Sequence, residues 1–235
     1  MTIHLLGSMA TSENLADKLE RALIHLRPKI ITVETSQEWI DYENQHNEDI
    51  KKDIMYVFIE GYVDLGIIKY VESYINQQLA SFDVAVSRKF TQNHNIPIHF
   101  VGDPRDIESF YNSMKYRIKK LFFSLTRQTS KTIVQSISTE EQCENARYRI
   151  FEDLINDDIY LEELVPDLAE IFIGSIEDKR NKYTANNLLQ LTRENPNSRI
   201  VNVGNPLNLV DDVMNRTLYS KIKHLNPERS TLIRY

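Results

Sequence analysis

Short apolar runs alternate with amphipathic stretches along the first part of the chain. The runs at 3–6 and 30–33 are almost unbroken and too short for helices, so they predict strands that are buried on both faces. Between them, leucines recur at helical spacing from Leu15 to Leu26, and Pro28 follows, which predicts a helix that ends before the proline. These three elements predict a β-α-β unit with parallel strands and a right-handed crossover.

Helical periodicity dominates the middle of the chain, on both sides of a third predicted strand at 96–101. Periodicity alone leaves 54–59 open between strand and helix. A helix that includes Lys179, a strand through 200–203 and a last helix at about 209–218 complete the pattern. The final ten residues are polar, and we expect them to fray.

This order of elements predicts an α/β fold with a mixed or mostly parallel sheet flanked by helices. The helical residues form insertions at about 45–95 and 105–175 within a single domain over 1–235. We expect the helical insertion to cap the carboxyl ends of the strands.

Composition narrows the class of protein. The chain has 235 residues, of which 41% are hydrophobic and 26% charged, as in soluble globular proteins. A net charge of −6 argues against a nucleic-acid partner, because such binding needs Lys and Arg to neutralise phosphates. The single cysteine, Cys143, excludes an intrachain disulfide and favours a reducing, cytoplasmic location. No run approaches the roughly 20 apolar residues of a membrane span. The predicted middle helices have enough apolar residues for either a homodimer interface or the core of a monomer.

Polar residues follow each of four predicted strands. Because the carboxyl ends of parallel strands meet at one edge of a sheet, these residues predict a ligand site there. The predicted ligand-binding residues are Gly7, Ser8, Asp103, Arg105, Lys179, Gly204 and Asn205, and the candidate catalytic residues are Glu34, Arg180 and Asn181.

Glu34 has three interpretations: a general base, a metal ligand, or the cap of the next helix. A pair with Arg180 across the cleft would suit a site that no longer reacts, and Asp103 with Arg105 would form a local ion pair. The six histidines are dispersed, and motifs typical of zinc, calcium, P-loop or dinucleotide sites are missing from the sequence. We therefore predict neither a metal nor a cofactor.

The series of strand ends resembles the TraB/PrgY, Tiki and GumN superfamily, whose fold is related to the erythromycin esterase-like and ChaN-like folds. In that family an opening strand ends in Gly-Thr-x-His, a second strand ends in Glu, and a third ends near Asp-Arg. A helix then opens with Glu-Arg-Asn, and a last strand ends in Gly-Ala-x-His. The matching segments here are 5–10, 27–34, 102–105, 179–185 and 203–207.

The departures from the family pattern decide what the resemblance implies. Active members resemble metal-dependent hydrolases whose histidines and glutamates hold the ion. Here Ala10 and Leu207 stand at the two histidine positions, and Lys179 stands at the glutamate of Glu-Arg-Asn. The resemblance therefore implies a member without the metal site, in which Lys179 places a positive charge beside Glu34.

Three functions follow from these observations. The first is a non-catalytic binding or regulatory domain whose partner is a protein or a small molecule. The second is an atypical metal-dependent hydrolase of peptidase or esterase type. It would use Glu34, Asp103, Arg180 and Asn181. The third is an α/β interaction domain unrelated to the family, in which Gly7, Glu34 and Gly204 do not share a cleft.

Overall fold

A computed structural model describes residues 2–8, 13–59, 82–105, 107, 112, 148–149, 151–156 and 175–235. The chain divides into two compact units. The first contains Met1–Ser36, Phe82–Asp103 and Glu144–Tyr235, and the second contains Gln37–Ser81 and Pro104–Cys143. The helical periodicity of the sequence predicts helices at 65–79, at 161–173 and from Ile107. The first two lie outside the described residues, as does almost all of the third.

The first unit contains a five-stranded sheet, and every neighbouring pair of its strands is parallel. The strands are β1 (Thr2–Gly7), β2 (Ile30–Val33), β3 (Ile98–Phe100), β4 (Arg199–Gly204) and β5 (Glu228–Thr231), in the spatial order β3-β2-β4-β1-β5. The predicted α/β class with a parallel sheet is confirmed.

The described chain also contains α-helices and short 3-10 turns, joined by loops. The helices are α1 (Glu13–Leu26), α2 (Gln37–Ile59), α3 (Phe82–His94), α4 (Ser175–Glu194) and α5 (Leu218–Ile222), and the 3-10 turns are Pro206–Leu209, Lys223–Leu225 and Leu232–Arg234. The ambiguous segment 54–59 is thus helix, at the end of α2 in the second unit. No helix in the described part of the chain is long and apolar enough to cross a membrane.

Helices cover both faces of the sheet. The chain moves from β1 to β2 to β3 in one direction and returns through β4 to β5 in the other, so right-handed crossovers place the later helices on the opposite face. Accordingly α1 packs against α3, and α4 packs against α5. One core cluster joins the sheet to α4 and α5, and includes Ile3, Leu5, Ile30, Ala185, Leu188, Ile200, Leu218 and Ile222.

Two predictions for the C-terminal end are wrong. The helix expected at about 209–218 is replaced by the 3-10 turn Pro206–Leu209 and the short α5, and the tail expected to fray forms β5 and a further turn. The side chains of Glu228, Arg229 and Ser230 in β5 have tertiary partners, which the sequence does not show. Arg229, for example, donates from Nη1 to the Leu209 carbonyl at 3.0 Å and lies 3.7 Å above the ring of Tyr219.

His4 of β1 binds side chains of β5, the strand at this edge of the sheet. Its buried ring lies 3.1 Å (Nδ1) from Glu228 Oε2 and 2.7 Å (Nε2) from Ser230 Oγ. Burial lowers the pKa of His4 below its ordinary value of 6.5, although Glu228 acts in the opposite direction. His4 is therefore a strand residue with partners on both ring nitrogens.

We expect His4 to make folding sensitive to mild acid. Below pH 6.5 the unfolded chain binds a proton that the folded chain excludes, so the free energy of unfolding falls as the pH drops towards the lowered pKa. Urea unfolding at pH 5.5 and 7.5 measures this loss. His4→Asn should reduce the pH dependence, whereas His224→Asn, on an exposed side chain, should not. Equal pH dependence in all three proteins would contradict the role assigned to His4.

Candidate functional site

Three of the predicted strand ends lie side by side. Gly7 of β1 is in register with Gly204 of β4, and Val33 of β2 is in register with Val203, so Glu34 reaches the same level as the two glycines. The chain leaves β1 towards α1 on one face and leaves β4 towards α5 on the other. Connections that diverge in this way open a crevice at the carboxyl ends of the strands. Below, the strand-end site means Gly7, Ser8, Thr32, Glu34, Asn181, Asn202, Gly204, Asn205 and Asn208.

The Glu34 carboxylate accepts hydrogen bonds on both oxygens. Oε1 accepts from Asn202 Nδ2 at 2.7 Å. Oε2 accepts from Asn208 Nδ2 at 2.6 Å and from the backbone N–H of Asn205 at 3.3 Å. Three N–H donors therefore point at one carboxylate.

The two amide donors are themselves held in orientation by further partners. Thr32 Oγ1 donates to Asn202 Oδ1 at 2.7 Å. Asn181 Nδ2 donates to Asn208 Oδ1 at 2.9 Å, and to the Arg216 carbonyl at 3.0 Å. Because each amide oxygen already accepts a bond, the NH₂ group of each amide is the part that faces the carboxylate. Two chains of hydrogen bonds, one from β2 and one from α4, thus converge on Glu34.

Gly204 makes room for this carboxylate. A Cβ at position 204 would lie 1.9 Å from Glu34 Cδ and within 2.3 Å of both carboxylate oxygens. Gly7 and Gly102 permit similar approaches, since a Cβ would lie 2.6 Å from Leu209 Cδ1 at the first and 2.5 Å from the Thr35 carbonyl carbon at the second. None of the described glycines has a positive φ, so close packing explains these three positions better than backbone conformation does.

Burial raises the pKa of Glu34 above its ordinary value of 4.5. The N–H groups of Asn208, Asn202 and Asn205 stabilise the charged form and so act in the opposite direction, as does the positive charge of Arg180. The guanidinium of Arg180 also lies 3.4 Å from the carboxylate of Glu177. A carboxyl with a raised pKa is costly to keep ionised, and the converging donors offset part of that cost.

Measurements of stability over a range of pH test whether the pKa of Glu34 is raised in the folded chain. The folded chain holds this proton to a higher pH than the unfolded chain, so the contribution of Glu34 to stability is full below pH 4.5 and falls as the pH rises through the raised pKa. We expect Glu34→Gln to show a smaller fall in the free energy of unfolding between pH 4.5 and 7.5 than the wild type. Glu38→Gln, at an exposed position of α2, is the matched control. Identical slopes in both variants would contradict the raised pKa.

The remaining predicted residues are placed as follows. Asn181 is buried within the site, and Arg180 is partly buried beside it, whereas Lys179 is exposed. The cation whose charge acts on Glu34 is thus Arg180. Asp103 belongs to the first unit and is partly buried, while Arg105 belongs to the second unit and is exposed.

Ser8 has a partner that the sequence did not predict. Its buried hydroxyl donates to Asp83 Oδ1, in the first turn of α3, at 2.5 Å, and its backbone N–H donates to the Gly204 carbonyl at 2.7 Å. The end of β1 is therefore fixed both to α3 and to β4.

Two of the important asparagines were also missed. Asn202 is the one polar residue within the apolar run 200–203, and this break in the pattern was a signal that could have identified it. Asn208 carries no such signal, because its reach to Glu34 depends on the 3-10 turn Pro206–Leu209. Asn205 caps that turn, with Oδ1 accepting from the Leu207 N–H at 3.0 Å.

The donor set of the strand-end site does not fit the divalent cation that the family resemblance implies. Both oxygens of Glu34 already accept from N–H groups, and a cation there would face the positive ends of those dipoles. Leu207 offers no ligand atom, and Ala10 lies outside the described residues. Across the part of the chain that the structure describes, no three His, Cys, Asp or Glu side chains are grouped to hold a metal ion.

Comparison of the sequence with models of known protein families and with curated proteins found no match.

Proposed function

We propose that the chain is a non-catalytic, metal-independent binding domain with a TraB/Tiki-like arrangement of strand ends. Its ligand, a small molecule or a segment of a partner protein, binds at the strand-end site. The single observation that carries this proposal is the engagement of the Glu34 carboxylate by three N–H donors of the chain itself. A carboxylate held in this way anchors the walls of a cleft.

The mouth of the site favours a ligand with carboxylate or phosphate groups. Arg180 is partly exposed, and its positive charge acts on Glu34. Lys179, the preceding residue, is exposed, and so is Asn205. Guanidinium groups bind carboxylates and phosphates in a bidentate manner. Arg180 and Lys179 are the cationic groups that an anionic ligand would contact at this mouth.

One observation favours a hydrolase as the second candidate. Burial raises the pKa of the Glu34 carboxyl, and a raised pKa favours a role as general acid or base. In that case Glu34 would exchange protons with a substrate, and Arg180 and Asn181 would orient it. Asp103 completes the set of acidic and basic groups proposed for this activity.

Thermal-shift measurements with a panel of carboxylated and phosphorylated metabolites, in the presence of EDTA, test the binding proposal. We expect at least one compound to raise the melting temperature in a saturable manner, as a ligand specific to the folded state must. Arg180→Gln should raise the dissociation constant of that compound by at least about tenfold, since a hydrogen bond to a charged group contributes about 1.5–3 kcal/mol. Arg149→Gln, at an exposed position in another segment of the chain, should not.

A result that depends on a metal would refute the proposal. If stabilisation required Mn²⁺, Co²⁺ or Zn²⁺, or if the protein hydrolysed peptides or esters and Glu34→Gln abolished the activity, the hydrolase would be the better account.

A further inference from the structure

A basic cleft lies at the end of the sheet opposite to the strand-end site. It has a volume of about 490 Å³ and is lined by Arg21, Ile24, His25, Arg27 and Arg199. The last turns of α1 and the residue after it supply four of these side chains, and the first residue of β4 supplies the fifth. Among the described residues, none that lines the cleft carries a carboxylate, although the chain as a whole has a net charge of −6.

Two of the side chains that line the cleft, Arg199 and His25, are held in place by neighbours. Arg199 donates from Nη1 to the Leu26 carbonyl at 2.8 Å. The His25 ring packs at a tilt against the ring of Tyr235, with 5.4 Å between centroids, and the Tyr235 hydroxyl lies 3.1 Å from Ser230 Oγ. Side chains that are ordered before binding lose less entropy when a ligand arrives.

We propose that this basic cleft binds a phosphorylated small molecule, with its phosphates on Arg21, Arg27 and Arg199. Guanidinium groups match phosphate oxygens in a bidentate geometry, and two or more guanidiniums around one cleft suit a di- or triphosphate. Ile24 is 55% exposed within the same cleft, so it offers an apolar surface to the rest of the ligand. The volume is that of a pocket for a molecule the size of a nucleotide.

The distribution of charge favours a small ligand over a nucleic acid. Binding to a nucleic-acid backbone needs a basic surface that extends along several phosphates. Here the acidic residues Asp17 and Glu20 lie on the same helix as Arg21 and Ile24. Acidic side chains on α1 therefore interrupt the basic surface beyond the cleft.

Isothermal titration with inorganic tripolyphosphate, at fixed ionic strength, tests the proposal. We expect saturable binding to the full chain and a dissociation constant at least about tenfold higher in the double variant Arg21→Gln/Arg27→Gln, since a tenfold change corresponds to 1.4 kcal/mol. Both side chains are exposed, so the variant should fold. The matched control is Arg149→Gln, whose arginine is also exposed, and it should bind as the wild type does.

A second titration compares ATP with tripolyphosphate. The proposal predicts tighter binding of ATP, and Ile24→Ser should remove that advantage without changing the binding of tripolyphosphate. No saturable binding of either probe would overturn the proposal, as would equal weakening by Arg149→Gln. Tighter binding of a 20-nucleotide single strand would identify a nucleic-acid surface and overturn it as well. Glu34→Gln should leave both titrations unchanged, which separates this proposal from the function of the strand-end site.

Discussion

Replacing Gly204 with alanine is expected to lower the free energy of unfolding by about 3 kcal/mol, the upper end of the range for overpacked sites. The added Cβ would lie 1.9 Å from Glu34 Cδ, so the carboxylate would have to leave its position. Its departure would also break the bonds from Asn202 and Asn208 and leave both amides without this acceptor. Urea unfolding at pH 7 measures the loss.

A double-mutant cycle shows whether the loss comes from this one contact. Glu34→Ala removes the side chain that the new methyl group would meet, so Gly204→Ala should cost less than about 1 kcal/mol in that background. The coupling between the two substitutions should then exceed about 1.5 kcal/mol, within the range for residues in direct contact. Equal losses in both backgrounds would mean that Gly204 is needed for a reason unrelated to Glu34.

Removal of the Asp212 carboxylate should have a still larger effect. This side chain is fully buried and pairs with Arg216, accepting from Nη2 at 2.8 Å and from the backbone N–H at 2.5 Å. Breaking a buried ion pair by removing one partner costs about 3–5 kcal/mol. The effect should extend to the strand-end site, because the carbonyl of Arg216 accepts from Asn181, which in turn orients Asn208.

The measurement for Asp212→Ala is again urea unfolding, with Asp17→Ala on the exposed surface of α1 as the matched control. The control should change the free energy of unfolding by less than about 0.5 kcal/mol, as surface substitutions usually do. A loss below about 1 kcal/mol in Asp212→Ala would contradict the structural role assigned to this pair.

The sequence predicts those elements of the fold whose burial produces a run of apolar residues. Runs 3–6 and 30–33 are apolar because the sheet is covered on both faces, and both form strands. β5 has the sequence Glu-Arg-Ser-Thr and no apolar run, since it lies at the edge of the sheet, where Glu228 and Ser230 pair with His4 and Arg229 with the Leu209 carbonyl. Such tertiary pairing leaves no local signal, so the sequence predicts a polar tail that frays instead of a strand.

The sequence likewise predicts some residues of the candidate site and not others. Gly7, Glu34 and Gly204 could be predicted because they follow apolar strands, and parallel pairing brings them to one level. The reason for a glycine at position 204 could not be predicted, because it depends on where the carboxylate of another strand lies. Asn208 was missed for a related reason, since a 3-10 turn replaces the predicted helix and turns this amide towards Glu34.

The interpretation that Glu34 anchors a metal-free site is tested most directly by titrating the protein with divalent cations. Isothermal titration with Mn²⁺, Co²⁺, Zn²⁺ and Mg²⁺, in parallel on the wild type and on Glu34→Gln, measures whether the carboxylate serves as a ligand. Since three N–H donors occupy its oxygens, we expect no saturable binding that differs between the two proteins. Saturable binding of any one of these ions to the wild type, lost in Glu34→Gln, would contradict the account and favour the hydrolase.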